Sequence, residues 1–116
     1  MAKFTAGNIR ILHPDWYTVL VGSYLEAKRA AEVFDLNAAI INQELPDGDG
    51  LELLIELQEK NSCLSPIILV PTSFPQKLRE IAKICGAFSV LEKPTNNDAL
   101  ITALEGAIAQ FSQKRS

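Results

Sequence analysis

The stretch Ala38-Ala39-Ile40-Ile41-Asn42-Gln43-Glu44-Leu45-Pro46-Asp47-Gly48-Asp49-Gly50-Leu51-Glu52-Leu53-Leu54-Ile55 decides the fold. Residues 38–41 form a short apolar run without polar alternation, the pattern of a strand covered on both faces, as in a parallel sheet. The repeated Asp-Gly pairs at 47–48 and 49–50 read as a turn, because Asp bonds nearby backbone and Gly accepts the conformations a turn needs. Asp49 followed by Glu52 can cap a helix holding Leu51, Leu54 and Ile55, with Glu56 and Lys60 paired four residues apart. Strand, turn and helix in that order make one unit of an α/β fold.

The same alternation extends outward. Further apolar runs at residues 8–12, 17–21, 67–70 and 88–91 are strand candidates. Ser23 with Glu26 is a capping-box pattern ahead of Leu25, Ala30, Ala31 and Phe34. Pro75 suits a first helical position, Leu78, Ile81, Ala82 and Cys85 then share a face, and Gly86 is the stop. Thr95 with Asp98 opens a last helix carrying Leu100, Leu104, Ala107, Ile108 and Phe111. Residues 1–7 and 112–116 read as loose ends. The expected fold is a parallel sheet wrapped by helices.

The chain has 116 residues, one domain's worth, of which 47% are hydrophobic and 22% charged. That balance excludes disorder as the default. Fourteen acids against 11 bases give a net charge of −3, which argues against nucleic acid or an anionic membrane as the main partner. One histidine and two cysteines, Cys63 and Cys85, do not supply a four-ligand zinc site or a disulfide scaffold. No apolar run reaches membrane-spanning length and no signal-peptide core follows Met1, so the expected compartment is the cytoplasm. His13 beside Pro14 reads as a turn residue, and Trp16 beside Tyr17 as core or as an interface anchor.

Two segments resemble one family. Residues 45–54, Leu-Pro-Asp-Gly-Asp-Gly-Leu-Glu-Leu-Leu, are similar to the segment that follows the phosphoacceptor strand in receiver domains of two-component response regulators. Residues 86–94, ending Leu91-Glu92-Lys93-Pro94, are similar to that family's fifth strand and its Lys-Pro pair. The resemblance runs from about Tyr17 to Ile108. It implies a CheY-like, flavodoxin-like parallel sheet with helices on both faces, as a single domain over residues 1–116 with its core at about 8–111.

Receiver chemistry needs an aspartate nucleophile, an acidic pair for Mg²⁺, a Thr or Ser, and a Lys that neutralises transition-state charge. The resemblance places the phosphoacceptor at Asn42, whose neutral carboxamide is a poor nucleophile. Of the acidic pair at most Asp15 remains. The Thr position falls on Pro71 counted back from Lys93 and on Thr72 counted forward from Asn42. The aromatic switch position is Val90, and Lys93 is retained. Asn42, if buried, needs hydrogen-bond partners, for which Lys93 and Thr72 are candidates. The implied protein is a pseudo-receiver with no cofactor, no metal and no enzymatic activity. The alternative is an atypical receiver that takes phosphate or metal through Asp15 or Asp47. Against it, Asp47 and Asp49 read first as a turn and a helix cap.

The N-terminal part is short for the family. The four residues His13-Pro14-Asp15-Trp16 between the runs at 8–12 and 17–21 cannot make a parallel crossover. Three arrangements remain: an antiparallel hairpin, one strand kinked at Pro14, or a single helix over 17–34. The Ser23/Glu26 pair favours a strand at 17–21 and a separate helix after it. The first two arrangements leave an open sheet edge that favours dimerisation. The expected partner is a signalling protein or a second copy of the chain, and neither nucleic acid nor membrane. The resemblance places the contact face on residues 75–85, 88–91 and 97–111, with Leu78, Ile81, Val90 and Leu104 on it.

Overall fold

The computed structural model describes residues 22–115. Helix α1 is Tyr24–Val33, followed by strand β1, Ala38–Asn42. A hairpin of β2, Glu44–Leu45, and β3, Gly48–Asp49, leads into α2, Gly50–Lys60. Then come β4, Ser65–Val70, α3, Gln76–Ile84, β5, Ser89–Glu92, and α4, Asn97–Arg115. The main sheet has the order β1-β4-β5, all parallel, with Ile40 opposite Ile67 and Ile68 opposite Val90. The strands expected at residues 8–12 and 17–21, with His13, Asp15 and Trp16, lie outside the described residues.

Strand alternation divides the core into two layers. Ile68 and Val70 of β4 face one side, where Ile41, Leu53, Leu54, Leu57, Phe74 and Ala82 close over them. Ile67 faces the other, against Leu104 and Ala107 of α4, with Ala38, Ile40 and Phe88 alongside. All six residues of β4 are buried, as a continuous apolar run requires of a strand covered on both faces. Pro66 sits inside that strand and lacks an N–H, yet its carbonyl still accepts a 2.7 Å hydrogen bond from Phe88. The hydroxyl of buried Ser65 donates to Gln110 Oε1 at 2.8 Å and ties α4 to the start of β4.

Several expectations are corrected in detail. Ser23 is an extended N-cap (φ −148°, ψ 166°) whose Oγ accepts from the Glu26 amide, so a single helix over 17–34 is ruled out. Glu26 reaches back to the Gly22 amide at 2.8 Å rather than to Ser23 itself. Glu56 and Lys60 do not pair with each other. Both reach across to α1, Glu56 to Lys28 at 3.3 Å and Lys60 to Glu32 at 3.2 Å, because α1 packs beside α2 and offers opposite charges there. Pro75 is the N-cap of α3 rather than its first helical residue. The last helix is capped by Asn96, whose Oδ1 accepts from the Ala99 amide at 2.7 Å, and not by Thr95. That helix continues to Arg115, so residues 112–115 are helical rather than a loose end.

Candidate functional site

The site is assembled at the carboxyl ends of the parallel strands, where open α/β sheets hold ligands. β1 ends at Asn42, half-buried and level with Leu69 of β4. β4 ends at Val70, level with Glu92 of β5, and the Lys93 amide donates to the Val70 carbonyl at 2.9 Å. The three strand ends therefore bring Asn42, the Pro71-Thr72 turn and Lys93 to one edge. Lys93 is half-buried and Thr72 exposed. Among the described residues no hydrogen bond joins the Asn42 carboxamide to Thr72 or Lys93, so that expected pairing is not formed.

The turn after β1 is built from close backbone contacts. The Gly50 amide donates to the Gln43 carbonyl at 2.8 Å. A Cβ at position 50 would collide with the Asn42 carbonyl oxygen, which explains glycine there. Gln43 anchors β1 through its amide to Leu69 O, and its side-chain oxygen accepts from the Leu51 amide at 3.1 Å. Asp49 accepts from the Glu52 amide at 2.8 Å, so α2 begins with two side-chain caps.

Asp47 lies in the turn between β2 and β3, but its carboxylate serves another element. Oδ1 accepts from the Tyr24 amide at 2.7 Å and Oδ2 from the Leu25 amide at 3.1 Å. The Tyr24 amide hydrogen bond, with that from Leu25, holds the carboxyl below the ordinary aspartate value of 3.8 against the opposing effect of burial. Both of its oxygens are engaged as the cap of α1. Tyr24 stands above this turn, with its ring where a Cβ on Gly48 would be. Burial first, then hydrogen bonding to Glu56, raises the Tyr24 phenol to about 12. The capping function of Asp49 was readable from its spacing to Glu52. Those of Gln43 and Asp47 were not, because no local spacing signals a bond made across 22 residues.

Among the described residues the donor set does not by itself make the Mg²⁺ site that the family resemblance implies. Asn42 is neutral, and Asp47 and Asp49 are committed to helix amides. Among the described residues no group of three His, Cys, Asp or Glu is placed to hold a metal ion, and Asp15 lies outside them.

The face expected to meet a partner is partly core. Leu104 is 7% exposed and packs on Ile67, so it belongs to the interior; α4 turns that side toward the sheet. Leu78 and Val90 are half-buried against the first core layer, and Ile81 is half-buried. Ile84, 84% exposed at the end of α3, is the apolar residue that stands out there. An open groove lined by Phe88, Leu91, Ala99, Ala103 and Gly106 runs between β5 and α4. Cys85 packs against the core from the C-cap of α3, and Cys63 is half-buried in the turn after α2.

A parallel sheet covered on both faces, with a strand-end cluster ending in Lys-Pro, is the architecture of a receiver module. Residues 5–105 match the response regulator receiver domain family, and the chain belongs to it. It is 30% identical over 106 residues to the transcriptional regulatory protein PdtaR of Mycobacterium tuberculosis, an alignment covering 89% of this chain and 50% of that protein. The chain thus spans about half the length of the curated relatives it matches. Its fold is similar to the CheY-like receiver domain protein of Methanospirillum hungatei, with TM-score 0.79, 20% identity, and 94% of this chain and 87% of that one covered. A receiver domain protein from Clostridium thermocellum gives TM-score 0.80 at 22% identity, covering 97% and 91%. Among the described residues no helix is long and apolar enough to cross a membrane.

Proposed function

We propose that this receiver domain works without taking up phosphate, as a pseudo-receiver that signals by binding a protein. One observation carries the reading. The residue that closes β1, at the mouth of the strand-end cluster, is Asn42. Its carboxamide bears no charge and offers no anionic oxygen to attack a phosphoryl group. The engagement of Asp47 with two α1 amides supports the same reading, because that carboxylate is already committed. Lys93 and the loop holding Thr72 then remain as parts of a pocket without its nucleophile. The contact surface is the side formed by α3, β5 and α4. There Ile84 is exposed, and β5 ends the sheet among the described strands. The partner is a signalling protein or a second copy of this chain, met in the cytoplasm.

Mass spectrometry of the chain after incubation with acetyl phosphate and Mg²⁺ tests this. The expected spectrum shows no stoichiometric gain of a phosphoryl group. A stable gain near one per chain overturns the reading, and its loss in the Asp47→Asn or Asp15→Asn variant would identify the substitute acceptor.

A further inference from the structure

The loop between β4 and α3 reads Pro71-Thr72-Ser73-Phe74-Pro75. Two prolines deprive it of backbone donors, and Pro75 gives α3 no side-chain cap. The Pro71 and Pro75 carbonyls accept from backbone amides, so it is the Thr72 and Phe74 carbonyls that need donors from elsewhere. One side chain supplies them. Arg79, in the first turn of α3, donates from Nε to Phe74 O at 3.1 Å. Its Nη2 donates to Thr72 O at 3.4 Å and, more weakly, to Pro71 O at 3.5 Å. The same Nη2 lies 3.0 Å from Glu92 Oε2 at the end of β5. The Arg79 side chain is 15% exposed, whereas Glu92 is 52% exposed, so the bonds to Phe74 O and Pro71 O are partly buried while the ion pair stays open to water. Below the loop Phe74 is 8% exposed, and its amide donates to Pro71 O at 3.0 Å.

The geometry points to Arg79 as a built-in clamp on this loop. One permanent cation gathers three loop carbonyls and the carboxylate next to Lys93, so the loop keeps one arrangement with no phosphoryl group to hold it. The inference deepens the reading of a phosphate-independent module: it names what sets the α3–β5 side in place when phosphate does not. Arginine is specific to the task. Its planar fork carries five donors, whereas a lysine ammonium is a compact point charge that cannot span these acceptors. Arg79 is a positioning residue that acts through the loop.

Hydrogen exchange read by mass spectrometry on the whole chain tests it, with Arg79→Lys, Arg79→Gln and Glu92→Gln beside the unmodified protein. The expected result is about tenfold faster exchange in both Arg79 variants at the Phe74 amide and at Leu78 and Arg79, whose amides donate to Pro75 O. Glu92→Gln gives a smaller rise, and β4 stays protected in all variants. Unchanged loop exchange in Arg79→Lys overturns the clamp, as does an increase spread equally over β4, which marks general destabilisation. Arg79→Lys keeps the charge and the aliphatic stem, so it decides the matter should Arg79→Gln fail to fold. Acetyl phosphate is added to the same samples. A phosphoryl gain with a loosened Arg79→Lys loop overturns phosphate independence and keeps the clamp. No gain with a silent Arg79→Lys does the reverse.

Discussion

Tyr24 is held between the Gly48 turn and the carboxylate of Glu56. Burial disfavours its phenolate and Glu56 repels it, so the folded value of about 12 stands above the ordinary 10.0. The folded protein thus keeps a proton that the unfolded chain releases. The resulting stabilisation is fully present below about 10 and is lost as pH rises through about 12. Ultraviolet titration of the Tyr17→Phe variant, which leaves Tyr24 alone, should show a phenol titrating near 12. Adding Glu56→Gln should move it down toward the ordinary value. An ordinary value in both would refute the contact. Nothing in the sequence announced this residue, since its partners come from a turn and a helix far along the chain. Asn42 and Lys93 were legible because they sit at fixed offsets from Pro46 and Pro94.

At the scale of elements, what could be read was whatever depends on near neighbours. The Ser23 and Asp49 caps follow from a donor three residues on, and both form. The Asn96 cap was missed because Thr95 offers the same chemistry one position earlier, and backbone geometry alone chooses between them. The hairpin of β2 and β3 was read only as a turn, its two-residue strands being too short for any periodicity. Asp47 links that hairpin to α1, and its lowered titration makes α1 acid-sensitive. The stabilisation is present above the ordinary aspartate value of 3.8 and is lost as pH falls through the lower folded value. Asp47→Ala should speed amide exchange at Tyr24 and Leu25 and flatten the acid limb of the stability curve. Asp47→Asn should keep part of the protection and lose the pH dependence. Exchange unchanged at both amides in Asp47→Ala would refute the capping assignment.

Over the whole molecule the two core layers carry stability, and Leu54 lies at the centre of the larger one with no exposed surface. Leu54→Ala should cost about 3 kcal/mol in urea unfolding, as lost transfer energy plus a cavity that rigid strands cannot close. A loss below about 1 kcal/mol would mean that this layer is loosely packed. The sandwiched sheet itself was foreseeable from short β-branched runs between helical periods. Which carboxylate would serve which helix was not, and that has a consequence in time. The amides of Tyr24 and Leu25 are satisfied by a residue 23 and 22 positions later in the chain. During synthesis the first turn of α1 emerges from the ribosome ahead of Asp47, by roughly one to five seconds at ordinary elongation rates. Until then its first turn must rely on Ser23 and on water. The hairpin that follows β1 therefore finishes a helix that was made before it.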